Sequence, residues 1–247
     1  MNAFEVCRFL HRVWRYRLKV ERAEIQAIRQ HIEPGDTVID IGAHKGAFTY
    51  WMSRAVGPRG KVLAFEPQPE LSDYLNRAIN RLRLNNVEVI ESALSNRSGR
   101  ATLYRATQQV SPGASLEVDP STAEDSFEVQ ICPLDDVLAE RGIKSVSLIK
   151  CDAEGHELKV FEGGRSILSR CRPHLLFECE TQHHWGRSIQ GVFDYLSELG
   201  YRGAFFDEGH LRQFPSDGVM VREKLDSVFN YWFQSTEWIE QSTRRAA

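Results

Sequence analysis

The stretch Thr37-Val38-Ile39-Asp40-Ile41-Gly42-Ala43-His44-Lys45-Gly46 decides the fold. Its first five residues form a short β-branched run with the look of a buried parallel strand. A glycine follows at once, and then a helical stretch from Ala47 to Val56. Gly42 lets the backbone turn sharply and approach a ligand with no Cβ in the way. Open α/β sheets bind ligands at the carboxyl ends of such strands, at the topological switch point. A helix starting near Gly46 points backbone N–H groups at the same place, which suits a carboxylate such as that of an amino-acid moiety.

Working outward, strand Lys61 to Phe65 ends in Glu66-Pro67, a helix covers 69 to 84, and Val87 to Glu91 is a third strand. This alternation predicts right-handed parallel crossovers and a doubly wound α/β fold. Further on, Gly99 to Arg105 and Phe127 to Cys132 read as strands and Leu134 to Arg141 as a short helix. Residues 106 to 126, rich in Ser, Pro, Gly and acids, read as a mobile surface loop. Val146 to Lys150 is another buried strand, followed by a helical or turn-rich stretch over 157 to 170. Pro173 opens a strand through Phe177, Ser188 to Leu199 is an amphipathic helix, and Tyr201 to Asp207 and Ser227 to Phe233 close the sheet.

Upstream of Pro34-Gly35, residues 2 to 32 read as one helix, with Phe9, Leu10, Val13, Trp14 and Leu18 at helical spacing. Arg8, Arg12, Arg15, Arg17, Lys19 and Arg22 make it basic, and Glu5, Glu21 and Glu24 dilute that character. A solvated face on a helix packed across the domain is preferred to a membrane-surface helix. The chain thus divides into a helical extension, 1–33, and a main domain, 34–247.

Glu66 stands one crossover helix and one strand beyond Gly42, where a carboxylate can accept hydrogen bonds from two ribose hydroxyls. A dinucleotide site normally shows G-x-G-x-x-G to receive a pyrophosphate, and this turn is G-x-x-x-G. S-adenosylmethionine has no phosphate and needs less glycine, so it is the preferred ligand. Its candidate contacts are Asp40, Gly42, Ala43, His44, Gly46 and Glu66, with Ser92 and Ala93 beside the adenine. Asp40 would hold the turn or meet the donor's amino group.

Asp152, Glu154 and Glu157 cluster at the end of a later strand. Neighbouring carboxylates there can tune one another as a general base, and Asp152 or Glu154 is assigned to acceptor binding or proton abstraction. Glu157, Glu178, His183 and His184 are expected on the acceptor side, although Glu157 could instead cap the next helix. A divalent metal on Asp152, Glu154, Glu178 and a histidine is not expected, because nothing in the spacing fixes its geometry.

The linked segments Asp40 to Gly46, Ala64-Phe65-Glu66-Pro67, Glu91-Ser92-Ala93-Leu94-Ser95 and Ile149 to Glu157 resemble the FkbM-type methyltransferases. The resemblance covers roughly residues 35 to 180, in the family's order and spacing. It implies a class I, Rossmann-like methyltransferase fold with a mostly parallel seven-stranded sheet. It also implies S-adenosylmethionine as cofactor, and O-methylation of a hydroxyl on a sugar, glycan or secondary metabolite. His44 and Lys45 stand where the family often has asparagine and an aliphatic residue.

Two other readings stay open: a nicotinamide-dependent oxidoreductase, whose fingerprint is absent, and a non-catalytic Rossmann-like module, which would need none of these residues. The net charge of -3 disfavours a nucleic-acid partner and leaves a small-molecule or glycan acceptor. Five cysteines at 7, 132, 151, 171 and 179 form no CxxC pair. With no membrane-spanning run and no signal peptide, a cytoplasmic location is expected. Oligomeric state stays open.

Overall fold

The computed structural model describes residues 1–105, 113–117, 121, 123–179, 189–214 and 228–238. The deciding stretch forms β1 (Thr37–Ile41), buried along its last four residues. It pairs in parallel with β2 (Lys61–Phe65) on one side and β7 (Leu148–Cys151) on the other. β3 (Val87–Ile90) continues beyond β2, and β8 (His174–Glu178) beyond β7, both in parallel. The chain therefore winds outward in both directions from β1, which puts the switch point at the end of β1.

Beyond β8 the sheet turns antiparallel through β11 (Asn230–Ser235), β9 (Tyr201–Asp207) and β10 (His210–Gln213). Among the described residues the order is β10-β9-β11-β8-β7-β1-β2-β3, eight strands where seven were expected. The extra strand, β10, is exposed at all four residues, so it carries no apolar alternation to read. It folds back through Glu208 and Gly209, both left-handed (φ 50° and 76°), as a two-residue hairpin turn requires.

Alternate residues of the sheet face opposite sides. Ile39, Ile41, Phe65, Ile149, Phe177 and Phe233 pack in the larger core. That core is closed by α5 (Leu134–Glu140), α6 (Glu157–Gly163), α7 (Arg165–Cys171) and α8 (Gln190–Glu198). The helical stretch expected over 157 to 170 is thus two helices, parted at Gly164. On the other face Val38, Val62, Leu148 and Trp232 pack against α2 (Arg22–His31) and α3 (Ala47–Val56). α4 (Pro69–Leu82) links β2 to β3.

A second sheet, order β4-β6-β5, joins β4 (Ala93–Leu94), β5 (Gly99–Arg105) and β6 (Asp125–Cys132). The expected loop over 106 to 126 is partly corrected. Its last two residues open β6, and Ser115 bridges Tyr104. The Ser115 hydroxyl donates to the carbonyl oxygen of Glu154 at 2.5 Å, which pins this segment against the site.

The single helix expected over 2 to 32 is broken. α1 (Ala3–Arg15) runs into a π-helical turn, Tyr16–Val20, and Glu21 (φ −118°, ψ 48°) separates it from α2. The break has a packing cause. Phe9 and Val13 of α1 meet Trp51 and Ala78, whereas Ile28 of α2 meets Val38 and Met52, and one straight helix does not present both faces. Trp51 Nε1 donates to the Val13 carbonyl at 3.0 Å and ties α1 to α3. Phe4, Trp14, Leu18 and Val20 stay exposed. Among the described residues no helix is long and apolar enough to cross a membrane.

Candidate active site

β1 and β2 end in register, Ile41 beside Phe65, so Gly42 and Glu66 leave the sheet side by side. The N–H groups of Gly42 and Ala43 donate to the Phe65 carbonyl at 3.0 and 2.9 Å, which locks the turn to β2. Gly42 has φ +69°, and a Cβ there would stand 2.0 Å from the carbonyl oxygen of Asp152. Only glycine lets the turns after β1 and β7 touch. His44 is also left-handed (φ 48°), and its N–H donates to Glu66 Oε2 at 2.7 Å. The Gln68 N–H donates to Glu66 Oε1 at 2.9 Å.

Glu66 is thereby held rigid and buried, with burial pushing its pKa up to about 7. Each of its oxygens has a second lone pair, and the residue lines a cavity of about 320 Å³. Gly42, His44, Ser92, Ala93 and Leu94 line the same cavity, and so do the acidic residues Asp152, Glu154 and Glu178. Glu154 is a left-handed residue too (φ 51°), so in both turns the lining carries backbone strain of the kind found at functional sites. A smaller cavity of about 100 Å³ shares Gly42, His44, Asp152 and Glu178 and adds Ala43, Lys45 and Arg12. Burial, with the charges of Lys45 and Lys150, pushes the His44 imidazole down to about 4, so it is neutral near pH 7.

Three expected residues lie behind this lining. Asp40 is fully buried; Thr49 Oγ1 donates to its Oδ2 at 2.5 Å, and Lys150 Nζ lies 3.9 Å from its Oδ1. It supports the turn from beneath and lines neither cavity. Gly46 (φ 76°) caps α3 and packs beneath Leu75 and Phe9. Glu157, expected at the acceptor, is instead buried under the turn it shapes: its Oε1 accepts from the N–H groups of Ala153 and Gly155, each at 3.1 Å. As the first residue of α6 it reaches back along its own chain, and burial pushes its pKa up to about 7. The Ser92 hydroxyl lies 3.0 Å from the carbonyls of Ala93 and Gln130. His183 and His184 lie outside the described residues.

Sequence reasoning missed four residues. Lys150 lies buried in β7, with its ammonium 3.3 Å from Asp152 Oδ2 and 3.2 Å from the Gly42 carbonyl. Burial would lower its pKa, but the charges of Asp152, Asp40 and Glu178 outweigh burial and hold it raised. A lysine inside an apolar strand was the available signal. Tyr16 and Glu21, from the π turn and its end, line both cavities. Glu21 shares Asn230 Nδ2 with Glu24, at 3.2 and 3.4 Å, and burial with the Glu24 charge pushes its pKa up to about 7. His156 lines the larger cavity; its Nδ1–H donates to Glu117 Oε1 at 2.6 Å and its Nε2 lies 3.0 Å from Ser95 Oγ. Among the described residues no cluster of His, Cys, Asp or Glu is arranged to hold a metal.

The comparisons with known proteins agree with this geometry. Residues 40–202 match the family model described as the methyltransferase FkbM domain. The chain is similar to the 31-O-demethyl-FK506 methyltransferase FkbM of Streptomyces tacrolimicus, at 31% identity over 53% of this chain and 60% of that protein. It is also similar to the hexuronic acid methyltransferase AglP of Haloferax volcanii, at 27% identity over 63% of this chain and 62% of that one. The chain thus spans about three fifths of the length of these curated relatives. The crystal structure of an FkbM methyltransferase from Methylobacillus flagellatus superposes with a TM-score of 0.54 at 14% identity, over 94% of this chain and 56% of that one. The fold is that of the class I, Rossmann-like methyltransferases, and the chain belongs to the FkbM family of S-adenosylmethionine-dependent methyltransferases.

Proposed function

We propose that this chain transfers a methyl group from S-adenosylmethionine to a hydroxyl oxygen of a sugar, glycan or secondary metabolite. The observation that carries the reading is the meeting of Gly42 and Glu66 at the strand ends in the lining of one cavity that Asp152, Glu154 and Glu178 also line. The residues present fit the donor. Glu66 offers buried carboxylate lone pairs to ribose hydroxyls, and the lack of a Cβ at Gly42 lets the turn after β7 close against the same cavity. Ser92, Ala93 and Leu94, with Leu103 of β5 and Leu116, line the part of the cavity that would take the adenine. When bound, the donor supplies an electrophilic methyl group on sulfur.

The rest falls to the chain's own side chains. A neutral hydroxyl is a poor nucleophile, and a positioned base contributes about 10²–10⁴-fold. Asp152, steadied by Lys150, and Glu154 hold the acceptor hydroxyl, and one of them takes its proton. Glu178 lines the same cavity. Leu103, Ala114 and Leu116 give it an apolar side. The names of the two curated relatives, one a 31-O-demethyl-FK506 and one a hexuronic acid methyltransferase, support a metabolite or sugar acceptor. The extension 1–33 and domain 34–247, and action in the cytoplasm, belong to the same proposal. The five free thiols agree with a reducing compartment.

Calorimetric titration with S-adenosylmethionine and, separately, NADH tests it. Binding of the first alone is expected. Binding of NADH alone would replace the reading with an oxidoreductase, and binding of neither with a scaffold. Once transfer of labelled methyl to a panel of sugars and hydroxylated macrocycles has given an acceptor, Asp152→Asn should lower turnover by about 10²–10⁴-fold with donor affinity retained. Wild-type turnover would remove Asp152 from the chemistry.

A further inference from the structure

Two cations on the cavity wall have no role in the reading above. Arg12 comes from α1 and Lys45 from the turn after β1, and both stand in the smaller cavity beside Tyr16, Ala47 and Phe48. Both are half-buried. Arg12 Nη1 donates to the Tyr74 hydroxyl at 3.3 Å, and among the described residues neither cation has an acidic partner. Burial, and then the charges of Arg12 and Arg8, push the Lys45 pKa down. Half-buried like charges with no counter-charge between them raise the local potential, and an anion relieves it.

The third cation of that wall, Lys150, is already committed to Asp152, Asp40 and the Gly42 carbonyl. Glu21, Asp152 and Glu178 line the same cavity. A wall bearing both cations and carboxylates fits a zwitterion better than a simple anion. The larger cavity, with Glu66 and Ser92, adjoins the smaller one, and Gly42, His44 and Asp152 line both. A ligand with a nucleoside at one end and an amino acid at the other has the layout of the joined pair.

We propose that Arg12 and Lys45 bind the α-carboxylate of the donor's amino-acid half, so that the N-terminal helix is part of the donor site. This rests on the donor reading made above. A guanidinium presents paired N–H groups that match a carboxylate's two oxygens, and Lys45 adds a point charge beside them. The matched family domain begins at residue 40, so Arg12 stands outside it.

The test uses the full chain and two probes, S-adenosylmethionine and its decarboxylated form, which keeps the nucleoside, the sulfonium and the ammonium but has no carboxylate. Calorimetry on the wild-type protein should show the first binding about tenfold or more tighter. The double variant Arg12→Gln, Lys45→Gln should bind the two about equally, and Arg12→Lys should keep part of the preference. Each protein serves as its own control for folding, because the ratio is read within one sample. Equal binding of both probes by the wild type overturns the proposal. So does a preference that survives in the double variant, which would leave these cations to an anionic acceptor. Binding of neither probe by the wild type would instead sink the donor reading itself, an outcome distinct from both.

Discussion

At Gly42 the space for a side chain is already filled by the backbone after β7, 2.0 Å from where a Cβ would sit. Gly42→Ala adds a left-handed penalty of about 1–2 kcal/mol to a clash that no side-chain rotation relieves. The melting temperature should fall by several degrees, about 2–4 °C per kcal/mol at this size, and donor affinity should be lost. Thermal melts and calorimetry read both. Glu66 gives a prediction with a sign. Burial lifts its pKa from 4.5 to about 7, so the folded protein holds this proton more tightly than the unfolded chain. That contribution to stability is complete below pH 4.5 and is lost as pH rises through 7. Glu66→Gln does not titrate, so it should gain on the wild type between pH 5 and 8 by an amount on the order of 2–3 kcal/mol. Melts across that range check it, and parallel curves would contradict the burial of the group. Gly42 and Glu66 were legible in the sequence because each ends a short apolar run with an abrupt change of residue type. Lys150 was not, because Asp40 and the Gly42 carbonyl meet it only through the pairing of β1 with β7. Glu21 was not, because Asn230 is 209 residues away in the chain.

Among the elements, the parallel strands were readable as apolar runs of four or five residues closed by glycine or an acid. The π turn was not, since its spacing of apolar residues imitates a continuing α-helix until tertiary contacts choose between them. β10 is a strand by hairpin geometry alone, and the parting of α6 from α7 at Gly164 interrupts a pattern that stays helical on both sides. The docking of α1 rests on Phe9 and Val13 and on hydrogen bonds from Trp51 to the Val13 carbonyl and from Arg12 to the Tyr74 hydroxyl. The Trp51 ring also carries the Arg17 guanidinium at 4.3 Å from its centroid. Trp51→Phe keeps an aromatic ring and removes the donor, at a cost of about 1 kcal/mol. Tryptic cleavage after Arg12, Arg15 and Arg17 should quicken before the rest of the chain becomes susceptible, as followed by mass spectrometry. Cleavage at the wild-type rate would show that α1 is held by other contacts.

Across the whole molecule, the end of the sheet opposite the cavity is closed by an aromatic cluster. His174, the first residue of β8, lies 4.7 Å from the His31 ring centroid, 5.4 Å from Trp232 and 4.8 Å from Trp238. These contacts join α2 to the last described strand and the residues just beyond it. Burial, and then the charge of His31, lower the His174 pKa from 6.5 to about 4. The stability tied to its neutral form is present above pH 6.5 and is lost as pH falls through 4. His174→Phe should therefore lose less stability than the wild type on acidification from pH 7 to 4.5, as read by urea unfolding; an equal loss would place the acid sensitivity elsewhere. The turn at Tyr16–Val20 carries a consequence of another sort. Each residue of a helix advances the chain by about 100° around the axis. Loss of one residue inside 16–20 would swing everything before it by more than a quarter revolution, Arg12 included, at the expense of α1 packing but with Gly42 and Glu66 left in place. Part of the pocket is therefore indexed by chain length, so small insertions and deletions near the start of the chain can re-aim it without a single substitution in the sheet.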